Sequence, residues 1–304
     1  MDLVRVAPLL IGTGVTLGLG APIAKAASHH GVAALAFTLW PTLAAGLLLG
    51  LLGLLRQGRP EDPGRLVSFG AVAGLFGHAL PMSALFWLSA HAGAGFASLT
   101  LALPPVFTLL ISLVLGLERI AAKRVAAVVI GLFGALMMLV APGSAFDASA
   151  SELAIALFIP ASIGAANVYR SRRMPPGVGG EWLSAATLLA SSAALSAVGG
   201  ALGSIALPSD PMPLLWLLGQ AGALTVGYLL YFALQRRADP VTFSFIGYVM
   251  MLSGVCIGAF AFGERLSWNV LPAAALVLAA LVLLQQPAKP GAPAPRPSSR
   301  SRLA

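Results

Sequence analysis

The chain has 304 residues and a formal net charge of +8, yet only 9% of its residues are charged and 58% are hydrophobic. A soluble globular domain carries roughly 25% charged residues, so this composition excludes a surface covered by water and leaves lipid as the solvent for most of it. The basic residues stand in short clusters between apolar runs and build no basic face, which excludes nucleic acid as a partner.

A helix that crosses a bilayer needs about 20 mostly apolar residues. Ten such runs follow one another, at 9–27, 32–55, 66–89, 94–117, 123–141, 152–170, 182–207, 213–234, 240–263 and 268–286. The first ends in APIAKAASHH, where Ala24-Lys25-Ala26 has a faint likeness to a signal-peptidase site. Asp2 offsets Arg5 in a weak n-region, so this run reads as a retained helix. Cys256 lies in the ninth run as a small packing residue; as the single cysteine it allows no intrachain disulfide and no cysteine metal site. The tail from Pro287, PAKPGAPAPRPSSRSRLA, is basic and Pro-rich and reads as a disordered extension.

Lysine and arginine placement sets orientation. With the amino terminus in the cytoplasm, the cytoplasmic segments hold Arg5, Arg56, Arg59, Arg65, Arg119, Lys123, Arg124, Arg170, Arg172, Arg173, Arg236, Arg237 and the basic tail, and only Lys25 and Arg265 fall opposite. The expectation is a multi-pass inner (plasma) membrane protein with both termini cytoplasmic.

A single ungapped shift lays the second half on the first. Phe86 falls on Phe232, Leu88 on Leu234, Ala92 on Ala238, Ser98 on Ser244, and Glu118-Arg119 on Glu264-Arg265. Each half holds five spans, an odd number, so the halves enter the membrane from opposite sides. A charged residue at mid-membrane costs about 2.5–3.5 kcal/mol on insertion scales, so each Glu-Arg pair reads as a helix stop, with its carboxylate near the positive end of the next helix dipole. The predicted fold is an all-α membrane protein of ten transmembrane helices, arranged as two inverted five-helix repeats (1–141 and 142–286) around a central cavity, with 287–304 as tail. Secondary transporters are often built this way, with the substrate between the halves near the midplane.

The segment LPPVFTLLISLVLGLERIAAKRVAAVVIGLFGALMMLV, at 103–140, and its partner at 250–286 resemble an EamA-type permease of the drug/metabolite transporter superfamily. Lys25, near the end of the first helix, matches a basic residue often found there. LIGTGVTLGLGAP lacks the tryptophan common near the start of that helix in these permeases. The resemblance implies a permease fold and, from family members that export amino acids, an amino-acid exporter.

Every acidic residue (Asp2, Glu61, Asp62, Glu118, Asp147, Glu152, Glu181, Asp210, Asp239, Glu264) falls in a tail, a loop or a helix end. With no carboxylate in mid-helix, a conventional ion-coupled relay and a cationic substrate both lose ground, and a small neutral or zwitterionic solute is expected. His78 is the one ionisable side chain near a helix centre. His78, Met82 and Phe86 recur on one helical face, with Pro81 between them. Asn167, Gln220, Tyr228, Ser244, Tyr248 and Thr16 join them as candidate substrate-binding residues, because polar groups in a bilayer point inward or to the interface. Tyr169 and Tyr231, near helix ends, read as interface aromatics. Pro104-Pro105 lie inside an apolar run and are expected to free two backbone carbonyls. Small residues four apart (Gly14/Gly18, Gly46/Gly50, Gly70/Gly74) suit close helix packing.

The expected partners are a small-molecule substrate and the lipid bilayer, with no cofactor or metal and a monomeric state. A drug or nucleotide-sugar carrier is the alternative within the class, weakened because Lys25 is the one basic residue near the cavity. A membrane-embedded enzyme would need clustered catalytic groups that the sequence does not offer. A non-catalytic membrane subunit is the remaining class.

Overall fold

The computed structural model describes residues 3–92, 100–101, 103–117, 121–139, 149–202, 205–262 and 270–285, and among these all regular structure is helical. Helix α1 runs Leu3–Gly18 and α2 Gly20–His29. Pro22 has no N–H for the Gly18 carbonyl, and the helix assignment breaks at Leu19 between them. Helix α3 spans Ala34–Gln57 and ends at Gly58, whose φ of 71° suits glycine. Helix α4, Pro63–Gly74, starts where the Asp62 carboxylate accepts the Arg65 N–H at 2.9 Å. It passes into a π-helical turn, Leu75–Ala79, and then α5, Leu80–Ala92.

Next come α6, Pro104–Val114, α7, Ala122–Leu139, and α8, Ala150–Arg173, the last opened by a Ser149/Glu152 capping box. Helix α9 is Gly180–Leu202 and α10 is Pro211–Gln235. A short α11, Pro240–Ser244, is capped by Asp239 and separated at Phe245 from α12, Ile246–Phe262; α13 is Val270–Gln285. Each predicted span therefore contains helix. Those reaching the length and apolarity of a bilayer crossing are Val6–His29, Ala34–Gln57, Pro63–Leu85, Ala150–Arg173, Gly180–Ala201 and Pro211–Gln235, while Pro104–Val114 and Pro240–Gly254 are shorter apolar helices. One expectation is corrected: Pro104 and Pro105 do not lie inside a helix but at the first positions of one, where a missing N–H costs nothing. The Glu118-Arg119 and Glu264-Arg265 pairs and the tail lie outside the described residues.

The packing depends on small residues. Gly46 and Gly50 of α3 lie on Leu188, Leu189 and Ala185 of α9. Gly70 and Gly74 of α4 face Ala186 and Thr187 of the same helix so closely that a Cβ at either position would collide with backbone. Gly14 and Gly18 of α1 lie on Val249, Met250 and Ser253 of α12. Helix α1 packs on α10 and α12, α8 packs on α5 and α6, α3 on α9, and α7 on α13. Outward faces carry Leu47, Leu51, Leu55, Val67, Phe133, Leu157 and Val226, all exposed, as a lipid-facing surface would.

One end of the bundle gathers the basic loops. Gln57 bonds Glu181 at 2.7 Å and accepts from the Gly179 N–H at 2.8 Å. The Trp182 indole donates to the Gly58 carbonyl at 3.1 Å, and Arg236 donates to the Val178 carbonyl. Arg56 pairs with Glu181 at 3.2 Å and Arg124 with Asp239 at 3.1 Å. Arg56 is exposed and the Arg124–Asp239 pair is partly buried; pairs near the surface are worth about 0–1 kcal/mol, so they set which segments meet rather than the stability of the bundle. At the opposite end the Trp40 indole donates to the Ile205 carbonyl at 3.1 Å.

The glycine contacts give a stability prediction. Gly70→Ala forces α4 away from α9 and lowers stability by about 1–3 kcal/mol, the usual cost of overpacking. Gly50→Ala, whose new Cβ would sit an ordinary 3.7 Å from Ala185, leaves stability nearly unchanged. Thermal unfolding of the two purified variants in detergent checks the contrast.

Candidate functional site

His78 sits in the π-helical turn, and that turn explains its position. Pro81 presses its ring toward the carbonyl four residues back and offers no N–H to it. The chain widens so that the Leu80 N–H donates to the Leu75 carbonyl, five residues back. Carbonyls along this stretch are then taken by side chains of other helices. Ser162 of α8 donates to the Phe76 carbonyl at 2.7 Å, and Ser191 of α9 to the Gly74 carbonyl at 3.0 Å.

The imidazole joins three helices. Its Nε2 lies 3.2 Å from the Thr42 hydroxyl of α3, and its Nδ1 lies 3.1 Å from the Tyr228 hydroxyl of α10. Hydroxyls donate or accept, so either tautomer satisfies both contacts. The Tyr228 ring stacks on Tyr231 at 5.2 Å, and the Arg170 guanidinium stands 5.1 Å from the centre of the Tyr231 ring.

Arg170 requires a correction. Its place in YRSRR suggested a solvated loop charge, but it lies in the last turn of α8 and is 2% exposed. Its Nη2 donates to Asn167 Oδ1 at 2.8 Å and its Nη1 to the Ala73 carbonyl at 3.4 Å. The Asn167 amide donates in turn to Thr108 of α6 at 3.3 Å. Among the described residues its Nε has no hydrogen-bond partner. A Cβ on Gly77 would collide with the guanidinium, so this glycine makes room for it. His78 is therefore not the one ionisable group inside the bundle, and Lys25 is not the one basic residue to consider.

The structure brings His78, Asn167 and Tyr228 into one buried cluster and adds Thr42, Thr108, Arg170 and Tyr231, which sequence reasoning did not place there. Tyr231, expected at the interface, is inside. Met82 is half-buried beyond the π turn, and the Phe86 side chain lies outside the described residues. Gln220 is buried against Gly20, two turns along α10 from Tyr228, with its Oε1 unpartnered. Thr16 bonds the Gly12 carbonyl of its own helix at 2.7 Å, and Ser244 bonds the Val241 carbonyl at 2.6 Å. Tyr248 bonds the Val128 carbonyl at 3.2 Å and fills the space over Gly131, as a packing residue of the α7–α12 core. These four do not join the cluster. The signal available for Arg170 was its spacing from Asn167, one helical turn on the same face.

Chemically the cluster offers hydroxyls, an imidazole, a carboxamide and a guanidinium. Among the described residues no three His, Cys, Asp or Glu side chains come together to hold a metal ion. The described acidic residues, Glu61, Asp62, Glu152, Glu181, Asp210 and Asp239, all stand in loops, helix caps or first turns.

A solved crystal structure shares the fold. It superposes with a TM-score of 0.74 at 20% identity, covering 91% of this chain and 96% of the other. No curated protein sequence matches. Residues 5–140 match the EamA-like transporter family. Over that stretch, just under half of the chain, the protein is similar to EamA-like transporters, and several of its described helices are long and apolar enough to cross a membrane.

Proposed function

We propose that the protein is a secondary transporter that exports small neutral or zwitterionic metabolites, amino acids foremost, by alternating access between two inverted five-helix halves. The observation that carries this reading is the buried polar cluster, because it is assembled from both halves. Thr42, His78 and Thr108 come from the first, and Asn167, Arg170, Tyr228 and Tyr231 from the second. Polar groups are expensive inside a membrane bundle and mark solute paths.

Two further features support the inverted repeat. The packing obeys its symmetry: exchanging α1 with α8, α10 with α4–α5, and α12 with α6 reproduces the pairing pattern. Interruptions also fall at matching places. Leu101 and Leu103, just before α6, are non-helical, as is Phe245 between α11 and α12, and a Cβ on Gly247 would come 2.7 Å from the Leu101 carbonyl. Interrupted helices in corresponding positions of two repeats are the usual marker of a transport site. The end that gathers Arg56, Arg124, Arg172, Arg173, Arg236 and Arg237 is taken as cytoplasmic by the positive-inside rule, which supports the reading of an inner-membrane protein with its amino terminus inside.

The test is exchange in proteoliposomes loaded with labelled neutral amino acids. Efflux of at least one of them, accelerated by the same solute outside, is expected; no exchange across the set removes amino acids as substrates. His78→Ala is expected to impair exchange strongly. It also leaves the Tyr228 hydroxyl without its partner, which costs about 1–3 kcal/mol. Tyr228→Phe in the same chain removes the orphaned hydroxyl, so the two substitutions are less than additive in thermal stability. Strict additivity would mean that the two side chains do not bond.

A further inference from the structure

From the geometry we infer that Arg170 is the receptor for a substrate carboxylate, so the carried solutes are recognised through an anionic group. This deepens the transporter reading above and rests on it. The guanidinium is enclosed by α4, α8 and α10, yet among the described residues its contacts are neutral: the Asn167 amide, the Ala73 carbonyl and the face of Tyr231. The ion pairs of Arg56 with Glu181 and of Arg124 with Asp239 stand instead at helix ends.

Burying a charge without a counter-ion costs several kcal/mol, and a long basic side chain near a helix end normally reaches outward to water. Arg170 has that option, three residues from the end of α8, and reaches inward instead. Room is kept for it at Gly77, and Asn167 holds its Nη2. The unpartnered Nε leaves one edge of the guanidinium fork open, and a fork of this shape takes a carboxylate through two parallel hydrogen bonds. The stacked rings of Tyr228 and Tyr231 lie beside it and offer an apolar wall to the rest of the solute. A purely structural role would be served by a neutral donor, since the two acceptors it bonds are themselves neutral.

The experiment compares L-leucine and L-phenylalanine with L-leucinamide and L-phenylalaninamide as competitors of exchange by the full-length protein in proteoliposomes. The acids are expected to compete and the amides to fall short by roughly ten- to a hundredfold, the usual worth of a charge-assisted hydrogen bond. Arg170→Gln abolishes that preference, and Arg170→Lys keeps it in weakened form. A merely structural arginine would change stability and total exchange without moving the ratio of acid to amide. Amides that match the acids on the native protein overturn this inference and leave the carrier reading standing. An acid preference that survives in Arg170→Gln overturns the assignment to this residue. No competition by any of the four compounds overturns both the inference and the amino-acid reading.

Discussion

The bundle is organised by one constraint: in hydrocarbon there is no water to satisfy a backbone carbonyl, so every polar group must find its partner inside the protein. The stretch from Ala73 to Ala79 is where the constraint is most demanding. Pro81 removes a donor, the helix widens into a π turn, and carbonyls become available. Ser162, Ser191 and Arg170 take them up from α8 and α9. The close approach of those helices is possible because positions 70, 74 and 77 are glycine. A local feature of one helix thereby fixes the neighbours that face His78.

The bonds that hold this cluster are suited to exchange. Interhelical hydrogen bonds in membrane proteins are worth about 0.6 kcal/mol on average, far less than the burial of the surrounding apolar surface. The contacts of His78 with Thr42 and Tyr228, and of Asn167 with Thr108, cross between the proposed halves. They are few and weak enough to be traded for bonds to a solute. The tight glycine contacts of α4 on α9 and α1 on α12 also cross between the proposed halves and follow helix surfaces, with the Ser191 hydroxyl bonding the Gly74 carbonyl at the first of them. Such surfaces favour one close-packed arrangement and permit a second, as rocking motion requires.

Much of the helix layout was legible in the sequence because bilayer thickness imposes one length on every span. The observed ends of α3, α8 and α10 lie within a few residues of those expected. Helix interruptions were harder to read. Pro104-Pro105 suggested a broken helix, but whether a proline breaks a helix or begins one depends on the residues before it, which the apolar run does not distinguish. The site was legible only in part. His78, Asn167 and Tyr228 stood out as polar residues inside apolar runs. Arg170 did not, because a basic residue at a helix end reads as a solvated stop, and only packing against Ala73 and Gly77 turns it inward. Tyr248 and Ser244 looked equivalent to Tyr228 by type and depth, yet backbone carbonyls of α7 and α11 satisfy them.

The central claim is that the seam joining His78 to its partners opens alternately to the two sides of the membrane. The most direct test places a cysteine at Thr42, in a Cys256→Ser background, and measures its labelling by a membrane-impermeant thiol reagent applied from either side. The account predicts labelling from both sides, with each direction slowed by transported solute. A Thr42→Cys thiol that no reagent reaches from either side, in a protein that still exchanges solute, would contradict it.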